Sequence, residues 1–264
     1  MKNPWLQETW ARKPALLNGW LSIPSPVVAE AMARQGWDTL TIDMQHGLVD
    51  FQAAVSMLQA VSIASVPAIV RVPWLEPGIL MRVLDAGAAA VICPMISSVD
   101  DAARLVKATR YAPKGARSFG PVRANMAYGT DYWRQADAGI VRFAMIETAQ
   151  ALDDLDRILQ VEGLDAVYVG PSDLSLALGC APRFDDLEPA AQQAVEHIVE
   201  RAHAHNLKAG IHCGSVGTAR ERAALGYDLV TSMSDLRLLQ AGCQAVLAEW
   251  DKPNEPPVPS AAGY

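Results

Sequence analysis

Strand-length apolar runs and amphipathic helical segments alternate along almost the whole of this 264-residue chain, and that alternation leaves few folds open. The clearest unit lies mid-chain. The run Val-Arg-Phe-Ala-Met-Ile at 141–146 closes in Glu147, and the run Ala-Val-Tyr-Val at 166–169 closes in Gly170-Pro171-Ser172-Asp173. Between them Leu152, Leu155, Ile158 and Leu159 carry helical spacing. A strand–helix–strand unit makes the two strands parallel, so both acids emerge at one edge of the sheet. Parallel α/β folds place their chemistry at that edge.

The same reading predicts strands at 15–21, 37–43, 66–72, 89–93, 208–212 and 227–232. Helices are expected at 26–35, 51–64, 77–85 and 99–110. Another, with Val195, Ile198, Val199 and Ala202 on one face, precedes the seventh strand, and a last one runs to Trp250. Eight βα units in about 250 residues are the signature of an α/β, (β/α)8 TIM barrel. A doubly wound sheet gives a similar alternation with fewer strands, but no GxGxxG or P-loop favours it. One barrel domain is expected over 1–251, with a loose Pro-rich tail at 252–264. Residues 111–131, rich in Gly, Pro, Arg and Asn, read as a long loop on the active face, of a length that is usually functional or disordered.

Composition narrows the partners. With 51% hydrophobic and 19% charged residues, a large core is available. A net charge of −7 argues against nucleic acid or an anionic membrane surface. No apolar run is long enough for a membrane span, and no signal-peptide pattern opens the chain. The four cysteines are scattered without C-x-x-C spacing. The expectation is a cytoplasmic protein with a small-molecule substrate.

The strand ends supply the chemistry. The second ends Asp43-Met44-Gln45-His46-Gly47, the third at Arg71, the fifth at Glu147 and the sixth at Asp173. Two hard carboxylates without a thiolate cluster or His pair suit Mg²⁺ or Mn²⁺, with Co²⁺ also possible. A divalent metal can chelate a 2-oxo acid and act as a Lewis acid. Arg71 can stabilise an enolate oxyanion, His46 can move a proton, and backbone N–H groups around Gly170, Pro171, Ser172 and Asp173 can hold a carboxylate. No organic cofactor is expected. No lysine stands at the carboxyl end of a predicted strand; Lys208 begins one, and only Lys114 in the long loop could reach the site. A metal-stabilised enolate is therefore favoured over a Schiff base.

The residues also match a family. Asp43-x-x-His46-Gly47, Arg71-Val72-Pro73, Arg117-Ser118-Phe119-Gly120-Pro121, Ile146-Glu147-Thr148 and Val169-Gly170-Pro171-x-Asp173-Leu174-Ser175 together resemble the class II pyruvate aldolases of the HpcH/HpaI type, from about Leu17 to Trp250. The resemblance implies metal-dependent, reversible aldol cleavage of 4-hydroxy-2-oxo acids to pyruvate or hydroxypyruvate and an aldehyde. It implies Glu147 and Asp173 as metal ligands, Arg71 as enolate stabiliser, His46 as proton carrier and Ser172 as a backbone contact to substrate. Asp85 matches a carboxylate that tunes the histidine. Asp85 falls near the end of a helix running away from the active face, so it would have to reach His46 from a neighbouring subunit. Family members are homo-oligomers, commonly hexamers built as trimers of dimers with an exchanged C-terminal helix.

The chain departs from the family pattern twice. Gln45 replaces the Glu of D-x-E-H-G, and Met145 replaces a Gln two residues before the metal Glu. Losing that amide points to altered 2-oxo acid preference, for example toward hydroxypyruvate. Second-rank site candidates are Asp43, Trp20, Trp74, Arg117, Ser118, Arg123 and His212, while His203 and His205 are expected to be solvated. Structural roles compete throughout. Glu147 suits a helix N-terminal acid, Asp173 an N-cap, His46 a hydrogen-bonded structural residue, and Arg71 a partner for Asp43. A citrate-lyase-type enzyme acting on a CoA thioester, or a non-catalytic barrel, are the rival functions.

Overall fold

The computed structural model describes residues 5–250, so the segment 252–264 lies outside the described residues. Strands β1 (Leu16–Leu21), β2 (Thr39–Asp43), β3 (Ala68–Arg71), β4 (Ala90–Cys93), β5 (Val141–Ile146), β6 (Ala166–Val169), β7 (Lys208–His212) and β8 (Leu229–Ser234) pair in parallel in chain order. β8 closes on β1, giving the expected (β/α)8 barrel. Helix α1 (Leu6–Trp10) precedes β1, and α2 (Pro26–Ala33), α3 (Phe51–Ile63), α4 (Pro77–Asp85) and α5 (Val99–Thr109) follow the first four strands. Then come α6 (Val122–Tyr128), α7 (Tyr132–Gly139), α8 (Ala149–Asp153), α9 (Leu155–Leu159), α10 (Pro171–Ala177), α11 (Pro189–Ala204), α12 (Val216–Ala224) and α13 (Asp235–Trp250).

Side chains two apart on a strand share a face. Leu16 and Trp20, Ile69, Ala90 and Ile92, Val141, Phe143 and Met145, Ala166 and Tyr168, and Leu229 all pack together inside the barrel. A buried polar layer crosses the interior. Asn18 Nδ2 donates to Thr41 Oγ1 at 3.0 Å and Thr231 Oγ1 at 2.8 Å, while Thr39 Oγ1 donates to Asn18 Oδ1 at 2.7 Å. Tyr168 shares a 2.8 Å hydrogen bond with Thr231. Following these inward faces to the carboxyl ends leads to Asp43, Arg71, Glu147, Gly170 and His212. The outward faces pack on the helices in a larger core. Ser25, Asp50, Glu76, Ser98, Thr148 and Ser215 cap helix starts by accepting backbone N–H bonds, which fixes where each strand-end loop stops.

Several expectations change. The segment 111–131 is not all loop: it contains α6, and α7 follows before β5. Ala124, Tyr128, Tyr132 and Ala136 are buried at four-residue spacing across the two helices, a signal masked by the polar residues between them. The helix expected between β5 and β6 is split into α8 and α9 at Asp154. α1 was not foreseen; its Trp10 Nε1 donates to the Asp228 carbonyl at 2.9 Å, anchoring it at the amino end of the barrel. His203 and His205 are not simply solvated: they reach Asp228 at 2.9 Å and Asp156 at 3.1 Å. No helix among the described residues is long and apolar enough to cross a membrane.

Candidate active site

A cavity of about 340 Å³ opens at the carboxyl ends of the strands. Trp20, His46, Arg71, Met145, Tyr168, Gly170, Ser172, Asp173 and His212 line it, with Ser22, Phe184, Ser234 and Arg237 completing the wall. Another cavity of similar size, about 350 Å³, lies between α4 and α5, but neither an acid nor a histidine lines it. Chemistry rather than volume singles out the strand-end cavity. No described lysine lines it. Lys208 bonds Asp228 at 2.6 Å, and Lys114 lines a separate surface pocket.

Asp43 organises one side. Its carboxylate accepts Arg71 Nε at 2.8 Å and a terminal guanidinium nitrogen at 2.6 Å, a two-point pairing that fixes the guanidinium plane. It also accepts Trp20 Nε1 at 3.2 Å and the backbone N–H groups of Gln45 at 3.0 Å and His46 at 3.3 Å. Burial opposes ionisation of Asp43, but the Arg71 hydrogen bonds and charge, with the Gln45 and Trp20 donors, hold its carboxyl below the ordinary range. Arg71 also stands 4.8 Å from the Trp20 ring centroid. The alternative pairing of Arg71 with Asp43 is therefore realised, while Arg71 still lines the cavity.

Glu147 builds the other side. Its carboxylate is buried, and Oε1 accepts the Met95 N–H at 2.7 Å. Met95 holds a left-handed φ of 57°, a sparsely populated conformation for a non-glycine residue, and presents that amide. Burial pushes the Glu147 carboxyl up to about 7; the neighbouring Asp173 charge adds to the rise, and the Met95 amide and Arg71 charge oppose it. Thr148, not Glu147, caps α8, and Gly170 occupies the cap position of α10, with Asp173 in its first turn. Asp173 is thus not the N-cap of its structural alternative, whereas Glu147, directly before the cap of α8, does stand at a helix N-terminus. A Cβ on Gly170 would lie 2.5 Å from Glu147 Oε2 and 2.8 Å from Met145 Cε, so any larger residue there would displace the ends of both side chains. Asp173 lines the cavity, and its charge reaches Glu147, which is buried behind the lining with no ion-pair partner among the described residues; two neighbouring carboxylates of this kind fit a divalent cation.

His46 and His212 both reach the cavity. Burial, reinforced by the Arg71 charge, pushes the His212 imidazole down to about 3, which keeps it neutral. Its ring packs edge-on against Trp20 at 4.9 Å and beside Phe184 at 4.8 Å. Met145 packs beneath Gly170, and Gln45 Oε1 is buried without a hydrogen-bond partner among the described residues.

Other candidates lie elsewhere. Arg123 is not a cavity residue: it donates to the carbonyls of Ala86 and Leu58 and to Ser62 Oγ, tying α6 to α3 and α4. Arg117 is buried, donating to Asp85 at 2.6 Å and to the Tyr132 hydroxyl. Asp85 does not line the cavity and pairs with Arg117. Ser118 lines the cavity between α4 and α5, and Trp74 is exposed. Sequence reasoning missed the Met95 amide, Tyr168, Phe184 and Arg237. Alternation along β6 would have found Tyr168, two residues before Gly170; the other three sit in loops or a helix start, beyond the reach of strand periodicity.

Comparison with known proteins agrees with this geometry. The family description HpcH/HpaI aldolase/citrate lyase matches residues 18–238. The chain is 43% identical over 240 residues to a hydroxypyruvate/pyruvate aldolase of Rhizorhabdus wittichii, covering 91% of this chain and 96% of that one. It is 35% identical over 236 residues to a 5-keto-4-deoxy-D-glucarate aldolase of Salmonella arizonae, covering 88% and 91%. A crystal structure of an HpcH/HpaI aldolase/citrate lyase family protein from Burkholderia cenocepacia superposes with a TM-score of 0.85 at 33% identity, covering 94% of this chain and 99% of that one. The chain belongs to the HpcH/HpaI aldolase/citrate lyase family, and its named relatives are aldolases, which are carbon–carbon lyases.

Proposed function

We propose that this enzyme is a divalent-metal-dependent aldolase that reversibly cleaves 4-hydroxy-2-oxo acids to pyruvate or hydroxypyruvate and an aldehyde. The observation that carries the reading is buried Glu147, within electrostatic reach of both Asp173 and the Arg71 that Asp43 holds. Glu147 and Asp173 would hold Mg²⁺, Mn²⁺ or Co²⁺, which supplies Lewis-acid activation of the 2-oxo group when bound. Arg71, its plane set by Asp43, points donors at the oxygen that gains charge as the enolate forms. His46 takes the proton of the 4-hydroxyl as the C3–C4 bond breaks, that oxygen becoming the aldehyde carbonyl, and a proton is then returned to C3 of the enolate to give the methyl group of pyruvate. The backbone around Gly170, Pro171 and Ser172 shapes the seat of the substrate carboxylate, and Met145 forms an apolar floor. The relative named hydroxypyruvate/pyruvate aldolase supports a 2-oxo acid substrate of that size.

A homo-oligomer, a hexamer assembled as a trimer of dimers, completes the reading. Its support is α13, where Leu239, Val246, Leu247 and Trp250 are exposed together. In such an assembly Asp85 would serve His46 of a neighbouring subunit. Single-domain organisation over 1–251 and a cytoplasmic location belong to the same reading; the unpaired Cys93, Cys180, Cys213 and Cys243 are consistent with a reducing compartment.

The test is coupled detection of pyruvate released from a 4-hydroxy-2-oxo acid by EDTA-stripped protein. Activity that returns with Mg²⁺ or Mn²⁺ supports the proposal; equal activity without metal overturns it.

A further inference from the structure

Two guanidinium groups face the strand-end cavity, and only one has a partner. Arg71 is committed to Asp43. Arg237 lines the same cavity from the first turns of α13 and has no ion pair or side-chain hydrogen bond among the described residues. Its place is fixed by the backbone. The buried Asp235 carboxylate accepts the N–H groups of Ser22 at 2.9 Å and Ile23 at 3.0 Å, clamping the start of α13 onto the end of β1. Ser234 Oγ accepts the Arg237 N–H at 3.3 Å.

The groups around Arg237 leave its charge available. Phe184, Trp20 and neutral His212 form an aromatic wall, and the Arg237 charge is among those that disfavour protonation of His212. Glu147 follows β5 and Asp173 follows β6, while Arg237 follows β8 in the closed ring; Asp185, whose charge also reaches His212, accepts the Gly214 N–H at 2.7 Å and makes no ion pair with Arg237. Asp173 and Arg237 line the same cavity, so a 2-oxo acid held near Asp173 would have Arg237 within the space open to its aldehyde portion.

We propose that Arg237 recognises a second anionic group, a carboxylate or a phosphate, at the far end of the aldehyde, and thereby sets which aldehydes the enzyme accepts. The inference rests on the aldolase reading and adds a residue that selects the acceptor. An ion pair at an exposed rim is modest, so the expected preference is about five- to tenfold.

The experiment compares kcat/KM for aldol addition of pyruvate to succinate semialdehyde, to glycolaldehyde phosphate and to neutral butanal, in wild type, Arg237→Met and Arg237→Lys, each loaded with Mn²⁺. Arg237→Met is expected to lower the anionic-to-neutral ratio by about five- to tenfold, mainly through the KM of the aldehyde, with Arg237→Lys restoring part of it. A fall with succinate semialdehyde alone identifies a carboxylate, and a fall with glycolaldehyde phosphate alone a phosphate. An unchanged ratio, or an equal loss with butanal, overturns the assignment. Exchange of the pyruvate methyl protons with D₂O by wild-type enzyme, without any aldehyde, tests the underlying reading separately. Exchange with a flat ratio rejects only the role of Arg237; no exchange rejects the enolate chemistry itself.

Discussion

Arg71 and Asp43 meet through two parallel hydrogen bonds of 2.8 and 2.6 Å, at the ends of adjacent strands β3 and β2. The register pairs these two residues directly, so the sheet itself brings the guanidinium and the carboxylate together. Asp43→Asn leaves Arg71 largely buried without a counter-charge. Breaking a pair of this kind costs about 3 kcal/mol. Denaturant unfolding at neutral pH should show that loss, together with a large fall in turnover. Because Asp43 is held below its ordinary value of 3.8, the pair's stabilisation is complete above that pH and fades as pH falls through the lower folded value. The gap between wild type and Asp43→Asn should therefore narrow in strong acid; a gap that widens there would contradict the pairing.

Glu147 carries the opposite shift, with a folded value of about 7 against an ordinary 4.5. In metal-free protein the folded state holds this proton more tightly than the unfolded state. That contribution to stability is full below 4.5 and is lost as pH rises through about 7. Metal binding needs the deprotonated ligand, so protons and metal compete. Adding Mn²⁺ to stripped protein should raise Tm more at pH 8 than at pH 5.5. An equal rise at both pH values would mean that the ion binds elsewhere.

Gly170 is the next point of sensitivity. Gly170→Ala places a methyl against Glu147 Oε2 and Met145 Cε. The fold should survive, since one loop position is affected, but metal affinity should fall by about 10- to 100-fold, as for other changes that displace a ligand. Circular dichroism and Mn²⁺ titration of the same sample separate the two effects. Retained affinity would show that the carboxylate can step aside.

Met145 is buried beside the site where an amide would supply a donor. Met145→Gln should shift the ratio of kcat/KM for pyruvate and hydroxypyruvate by several-fold, about one hydrogen bond's worth. Competition between the two donors, read from the aldol products, measures it. An unmoved ratio would remove Met145 from substrate selection.

Period-two alternation and strand order explain why much of this site was legible in the sequence. Asp43, Arg71 and Glu147 end or immediately follow strands, and the barrel closure converges them. What escaped depends on contacts between distant segments. Arg117 and Arg123 look like pocket cations in a polar loop, yet α6 and α7 fold that loop onto α3 and α4, where both residues are used in packing. The Met95 amide reaches Glu147 across 52 positions through a backbone conformation that no side-chain pattern signals. The Asn18 layer was equally hidden, because its partners come from β2 and β8.

The most direct test is Mn²⁺ binding to EDTA-stripped protein, followed by electron paramagnetic resonance of the free ion, in wild type, Glu147→Gln and Asp173→Asn. One site per chain in wild type, greatly weakened in both variants, is the expected result. Binding of equal strength in all three proteins would contradict a metal site between Glu147 and Asp173, and with it the proposed chemistry.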